Sequence, residues 1–279
     1  MNNNKFHLIC KDGKEVITNL IDRIKTQMNI DDKTTMFDYY VSHEDILNRL
    51  SSSLVPTDIT DKEVLSFYSY QWSSYENINN HLRNNNGLNR NKNEKTFITV
   101  VDDSSFTDYE CYVAGVVDGI DNVLSRTSLK NKLVVYRGIG EKGLKSLGIE
   151  SKEKLLNGSF PIECNINHCY MSSTVNPGGR FFEQRPIILC IKLPEGTQAC
   201  YLSSDPRLVG EGEFLIERDT QLIINNAEEI NDKIYIYCEM KPKEHKYNEN
   251  RNIVLSDNDD YLLNATRSIT NIDSSEMSI

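Results

Sequence analysis

No stretch of this sequence approaches the roughly 18 consecutive apolar residues that mark a membrane-spanning helix, so no membrane span is expected. There is no CxxC pair. The seven cysteines, Cys10, Cys111, Cys164, Cys169, Cys190, Cys200 and Cys238, are odd in number and scattered. That excludes a paired disulfide framework and points to a reduced working environment. "CNINHC" brings Cys164, His168 and Cys169 together, but no second cluster completes a ligand set, and no metal is expected. Positive charge is short as well. Against 41 Asp and Glu stand 31 Lys and Arg, a net charge of −10. This argues against duplex nucleic acid or an anionic membrane as the main partner, and it fits approach to a basic patch on another protein. The opening "MNNNKFHLICKDGKEV" lacks the basic n-region and long apolar h-region of a signal peptide. Apolar residues make up 38% of the 279, below the globular average, while Asn and Ser are abundant. A core is within reach for about two-thirds of the chain, with polar ends left over.

What is present divides into two halves. "KEVITNLIDRIKTQ" sets Val16, Ile17, Leu20, Ile21 and Ile24 at helical spacing. "TDKEVLSFYSYQWSSYENINNHLR" opens on a capping box, Thr60 with Glu63, and is dense in aromatics that read first as core. "TDYECYVAGVVDGIDNVL" repeats the box with Thr107 and Glu110, then runs Val113, Val116, Val117, Ile120, Val123 and Leu124 along one helix face. From residue 132 the pattern becomes strands: "KLVVYRG", "CYMSSTV", "RPIILCIKL", "TQACYLS", "EFLIE", "TQLIIN" and "DKIYIYCEM". The turn signals "NPGG", "LPEG", "SSDP" and "NNAEE" lie between them. Helices followed by a run of strands predict an α+β fold: a helical N-terminal lobe on a largely antiparallel sheet system. Residues 1–55 read as a helical N-terminal extension, 56–245 as the folded domain and 246–279 as a polar mobile tail.

Four motifs bear on chemistry. Gly138, Gly140 and Gly143 form a literal GxGxxG after a strand. No βαβ alternation follows, and Pro161 suits a second central strand badly, so a dinucleotide-binding half is not expected. Arg137 ends the apolar strand "LVVYR", where a guanidinium rooted in the core can clamp phosphate; the plainer reading is a surface ion pair. Ser172, Ser173 and Thr174 put three hydroxyls in a row in an apolar strand. If buried, they need partners; otherwise this is a half-exposed edge. In "GEGEFLIERDT", Glu211 and Glu213 alternate so that both carboxylates face one way, despite their repulsion. Among 41 acidic residues one such pair is unremarkable by itself.

Order and spacing change the weight of these motifs. YRG, then SST about 35 residues later, then E-x-E about 40 further on, each on its own strand, resembles the Arg–Ser–Glu class of bacterial mono-ADP-ribosyltransferases. "YSYQWSSYENINNHLR" is similar to the toxin-branch helix with a Tyr-x-x-Ile-Asn pattern, here Tyr75, Ile78 and Asn79. "FFEQRPIILCIKLPEGTQACYLS" resembles the matching segment of clostridial iota-type actin-modifying toxins, with Phe182 and Arg185 as its Phe-x-x-Arg. The likeness covers roughly residues 60–240. It implies a split two-sheet core with an NAD cleft, and NAD as substrate rather than a resident cofactor. It implies that Arg137 and Arg185 contact the NAD phosphates, with Gly138 beside Arg137. By the same resemblance Phe182 would pack on the nicotinamide side, Ser172 would order the site and hold the catalytic Glu213, and Glu211 would prepare the acceptor.

Three departures from the pattern bear on substrate. Thr174 stands where Ser is usual, Cys169 where iota-like toxins carry Asn, and Leu208 where several place an aromatic that reads the target. Glu211 favours arginine over the Gln-x-Glu pattern of asparagine- or cysteine-type modifiers. The resemblance thus implies a monomeric enzyme that moves ADP-ribose onto a protein of a target cell, at arginine, with actin one candidate acceptor. Export without a Sec signal and action in the target cytosol follow from the toxin likeness. A Thr or Ser acceptor, plain NAD hydrolysis, and a non-catalytic binding copy of the fold are the alternatives.

Overall fold

Among the described residues seven strands, β1 (Leu133–Ile139), β2 (Met171–Thr174), β3 (Ile187–Leu193), β4 (Ala199–Tyr201), β5 (Glu213–Ile216), β6 (Leu222–Ile230) and β7 (Lys233–Met240), form one sheet in the order β4-β5-β2-β1-β3-β7-β6. The computed structural model describes residues 12–37, 43–50, 58–71, 75–87, 109–177, 185–202 and 213–243. All pairings are antiparallel except β3 with β7. The two halves expected of the core are joined rather than separate. β4-β5-β2 meets β1-β3-β7-β6 through a single registered pair, Tyr136 with Thr174. All seven strands send side chains into one apolar cluster, among them Val135, Met171, Leu189, Tyr201, Phe214, Ile224 and Ile236. The sheet therefore curls around a shared core instead of presenting two flat faces.

The helical part consists of α1 (Asp12–Gln27), α2 (His43–Leu50), α3 (Asp61–Ser69), α4 (Tyr75–Asn84), α5 (Tyr109–Ser125), α6 (Glu141–Ser146) and α7 (Lys152–Leu156). Ile21 and Ile24 of α1 pack on Val134, Tyr136 and Ile188 of the sheet. The apolar stripe of α5 is buried as its spacing predicts: Val113, Val117, Ile120 and Val123 are sealed against α3, α4 and the β4-β5-β2 half. Each such side chain is worth about 1.5–3 kcal/mol in burial. The capping box forms, with Glu63 N–H donating to Thr60 Oγ1 at 3.3 Å and Thr60 N–H to Glu63 Oε2 at 2.8 Å. The second box, at Thr107, lies outside the described residues.

α3 passes into a π-type turn at Tyr70 and Gln71, and α4 is described from Tyr75. One local reading needs correction. "NNAEE" is not a turn. It runs inside β6 across a bulge between Ile224 and Asn226. The reversal comes later, at Asn231 and Asp232, whose φ of 51° and 63° are what a two-residue hairpin requires. Cross-strand pairing with β7 overrides the weak β-propensity of Asn and Glu.

A charged network ties the helices to the sheet. The Arg218 guanidinium, just past β5, donates from Nε and Nη2 to Asp121 of α5, with Nη2 to Oδ2 at 2.8 Å. Its Nη1 donates to Asp219 at 2.8 Å and to the Gly87 carbonyl after α4. Tyr170, leading into β2, donates to Asp121 at 2.7 Å, and His168 pairs with Asp219 at 2.8 Å. Burial works against the Arg218 charge, but the Asp121 carboxylate outweighs it and the guanidinium is held more firmly protonated than usual. Gly87 is required here: its φ is +75°, and a Cβ would sit 2.0 Å from an Asp219 oxygen.

Candidate active site

The strand register assembles the site. Tyr136 of β1 pairs with Thr174 of β2, and Thr174 pairs with Glu213 of β5. These three form one rung across neighbouring strands. Arg137 is the next residue along β1, so its Cα lies about two strand spacings, roughly 10 Å, from that of Glu213. Ser172 pairs with Leu215, two residues in from the rung and so on the same strand face as Glu213. Residues widely separated in sequence thus meet at the junction of the two half-sheets.

Because β1 and β2 share one pair, main-chain groups beyond it must find other partners. Arg137 takes one: its Nη1 donates to the Ser172 carbonyl at 2.9 Å. The guanidinium is half-buried and touches no carboxylate among the described residues. Burial lowers its pKa, Tyr70 and Cys169 oppose this, Arg83 adds to the lowering, and Glu213 opposes. An arginine remains charged under such a load. The same interactions identify its surroundings: Tyr70 from the turn after α3, Cys169 ahead of β2, Arg83 of α4, and Glu213.

Glu213 is half-buried at the first position of β5 and accepts from Gln71 Nε2 at 3.0 Å. The Ser172 hydroxyl makes no hydrogen bond to it. Tyr70, beside Gln71, is buried and packs edge-on against Tyr170 with ring centroids 5.7 Å apart. Burial pushes the Tyr70 hydroxyl up to about 12, although the Asn79 amide and the Arg137 charge act the other way. The phenol therefore stays neutral. Asn79 Nδ2 donates to it at 3.3 Å, and Cys169 Sγ donates to the Asn79 carbonyl at 3.2 Å. Burial also raises the Cys169 pKa, so this thiol is not a ready nucleophile.

The other expected site residues are less central. Gly138 lies within β1, paired with Ile188 and half-buried. Arg185 is exposed on the segment entering β3, close enough for its charge to act on the Tyr75 phenol of α4. Phe182 and Glu211 fall outside the described residues. The GxGxxG glycines serve a strand end and a short helix: Gly140 caps α6, and Gly143 sits where a Cβ would lie 2.9 Å from Ile139 Cβ. Both neighbours of β1 are antiparallel to it, so the dinucleotide half is absent there. Sequence reading did not single out Gln71 or Arg83. Both lie inside the segment quoted for its resemblance but were given no role there, and both reach the site from the helical layer. The available signal was helical phase alone: Asn79 and Arg83 are one turn apart on α4.

A family model, ADP-ribosyltransferase exoenzyme, matches residues 18–257. The chain belongs to this family. It is 22% identical over 127 residues to an Enterococcus faecalis protein named NAD(+)–arginine ADP-ribosyltransferase EFV; the match covers 43% of this chain but 23% of that protein. Among solved structures, C3stau2 of S. aureus with NAD matches at TM-score 0.56 and 20% identity, over 75% of this chain and 100% of that chain. The Clostridium limosum C3 exoenzyme matches at 0.54 and 18%, over 75% and 98%. BECa of a C. perfringens binary enterotoxin, solved with NADH, matches at 0.51 and 18%, over 66% and 44%. At these identities the structural matches establish the shared fold.

Proposed function

We propose that this chain transfers ADP-ribose from NAD to a protein acceptor at arginine. One observation carries the reading: Arg137, Ser172 and Glu213 meet at the β1-β2-β5 junction, and Arg83 adds a second cation. Two guanidiniums suit the diphosphate of NAD, with Arg185 and Phe182 as further contacts outside that junction. The Glu213 carboxylate accepts the 2′-hydroxyl of the nicotinamide ribose. As the bond from ribose C1′ to the nicotinamide nitrogen breaks, the electron pair leaves with nicotinamide and positive charge develops on the ribose. A fixed carboxylate stabilises that charge most in the transition state. An acceptor guanidine nitrogen then bonds to C1′ and gives up a proton, for which Glu211 is the base.

Arginine is favoured because Glu211 supplies an acid suited to a cationic acceptor, and because the E. faecalis relative is named for arginine. The acceptor is a protein of a target cell, actin among the candidates, reached after export. Incubation with NAD and a cell lysate, followed by mass spectrometry, tests this: ADP-ribose on arginine of a protein is expected. Nicotinamide release without any labelled protein would instead make water the acceptor. Glu211→Gln should cut labelling of a guanidino acceptor at least about 100-fold and leave NAD hydrolysis within about tenfold of wild type. Equal loss of both activities would refute the division of roles between the two acids.

A further inference from the structure

We propose that Gln71 is a positioning residue for this reaction, holding the Glu213 carboxylate by one oxygen and leaving the other for the ribose hydroxyl. The inference rests on the role proposed above for Glu213.

Glu213 needs such a support. It is the first residue of a four-residue strand, and Ser172, the hydroxyl expected to hold it, makes no hydrogen bond to it. A glutamate fixed at its backbone alone can still rotate about three side-chain torsions. The Gln71 amide removes that freedom through the 3.0 Å bond from Nε2 to Oε2. The other oxygen accepts no hydrogen bond from a described residue.

Gln71 is itself well anchored. It follows Tyr70, whose buried ring packs on Tyr170 and whose hydroxyl accepts from Asn79. The π-type turn there ends α3 and presents the amide toward β5. Such turns recur where a helix must aim a side chain at a functional group. A support built on packed elements holds geometry more closely than one on a loop.

The amide also has the right charge. A carboxylate offers about four acceptor positions, and a neutral donor occupies one without cancelling the negative charge. A lysine there would pair with that charge and weaken it where the ribose cation forms. Among the described residues, the charged and titratable groups around Glu213 are Tyr70 on the α3 side and Arg137 from β1, with Arg83 of α4 and Cys169 ahead of β2 near Arg137. Gln71 is the member of this ring that cannot titrate.

The test is NAD hydrolysis by the full chain, with calorimetric NAD titration and thermal melts, for wild type, Gln71→Ala, Gln71→Asn and Gln71→Glu. Gln71→Ala should lose about 10- to 100-fold in kcat, the scale of a misplaced catalytic group. Its KM and Kd for NAD should stay within about threefold. Gln71→Glu sets a like charge against Glu213 and should lose at least as much kcat as Ala. Gln71→Asn, one methylene shorter, should fall between wild type and Ala. An Ala variant with wild-type kcat would overturn the inference, as would loss confined to KM or melting temperature. Glu213→Gln run alongside separates the two claims. If that variant is inactive while Gln71→Ala is normal, only the positioning role fails; if it hydrolyses NAD at the wild-type rate, the proposed function fails first.

Discussion

Glu213→Gln should lower kcat for nicotinamide release by on the order of 10³-fold while leaving NAD affinity within about threefold, and should abolish protein labelling with it. The substitution keeps the side-chain length, and its carbonyl can still accept from Gln71, so the site should not rearrange. What disappears is the negative charge. Charge at this position matters little for neutral ground-state ribose and greatly for the cation that forms as nicotinamide leaves. The loss should therefore appear in kcat and not in KM. Glu213→Asp offers a second view: it keeps the charge but withdraws it by one methylene, from the Gln71 amide and from the ribose alike. It should also lose at least about 100-fold. Chromatographic assay of nicotinamide at saturating NAD reads both variants. A Gln variant within tenfold of wild type would mean that another group stabilises the cation.

Arg218→Ala should be the most destabilising single change in the described structure, by about 3–5 kcal/mol. The guanidinium is 14% exposed and Asp121 is 16% exposed, so removing one strands the other charge away from water. Asp219 and the Gly87 carbonyl lose their donor in the same step. For a chain of this size the loss corresponds to a melting-temperature drop on the order of 10 °C or more. Arg218→Lys keeps the charge but cannot serve Asp121, Asp219 and Gly87 at once, and should fall between. A double variant with Asp121→Leu should lose less than the sum of the single changes, because it no longer buries an unpaired carboxylate. Calorimetric melts of the set measure this coupling; additive losses would show that the pair is not a unit.

Much of the fold was legible because strands and amphipathic helices write themselves as periodicity. The α5 stripe of Val113, Val117, Ile120 and Val123 is buried as its spacing requires, and the Thr60–Glu63 box closes. Arg137, Ser172 and Glu213 were each readable as strand residues, and their order pointed to a family with a shared site. What periodicity could not give was who sits beside whom. β5 joins β2 although β3 and β4 intervene in sequence, and that non-local pairing sets Glu213 opposite Thr174. Gln71 was illegible for a related reason. A polar residue just past a helix looks like surface until the π-type turn aims it at a carboxylate 142 residues away. "NNAEE" was misread because Asn and Glu signal turns by propensity, whereas inside β6 they are held by the β7 ladder.

The central claim is spatial: one crevice at the β1-β2-β5 junction holds NAD for cleavage. A crystal structure of the Glu213→Gln variant soaked with NAD tests it most directly. The account predicts the diphosphate on the Arg137 guanidinium, with Arg83 facing it, and the nicotinamide ribose 2′-hydroxyl against residue 213 beside Gln71. NAD bound elsewhere on the fold, with Arg137 and residue 213 untouched, would contradict it.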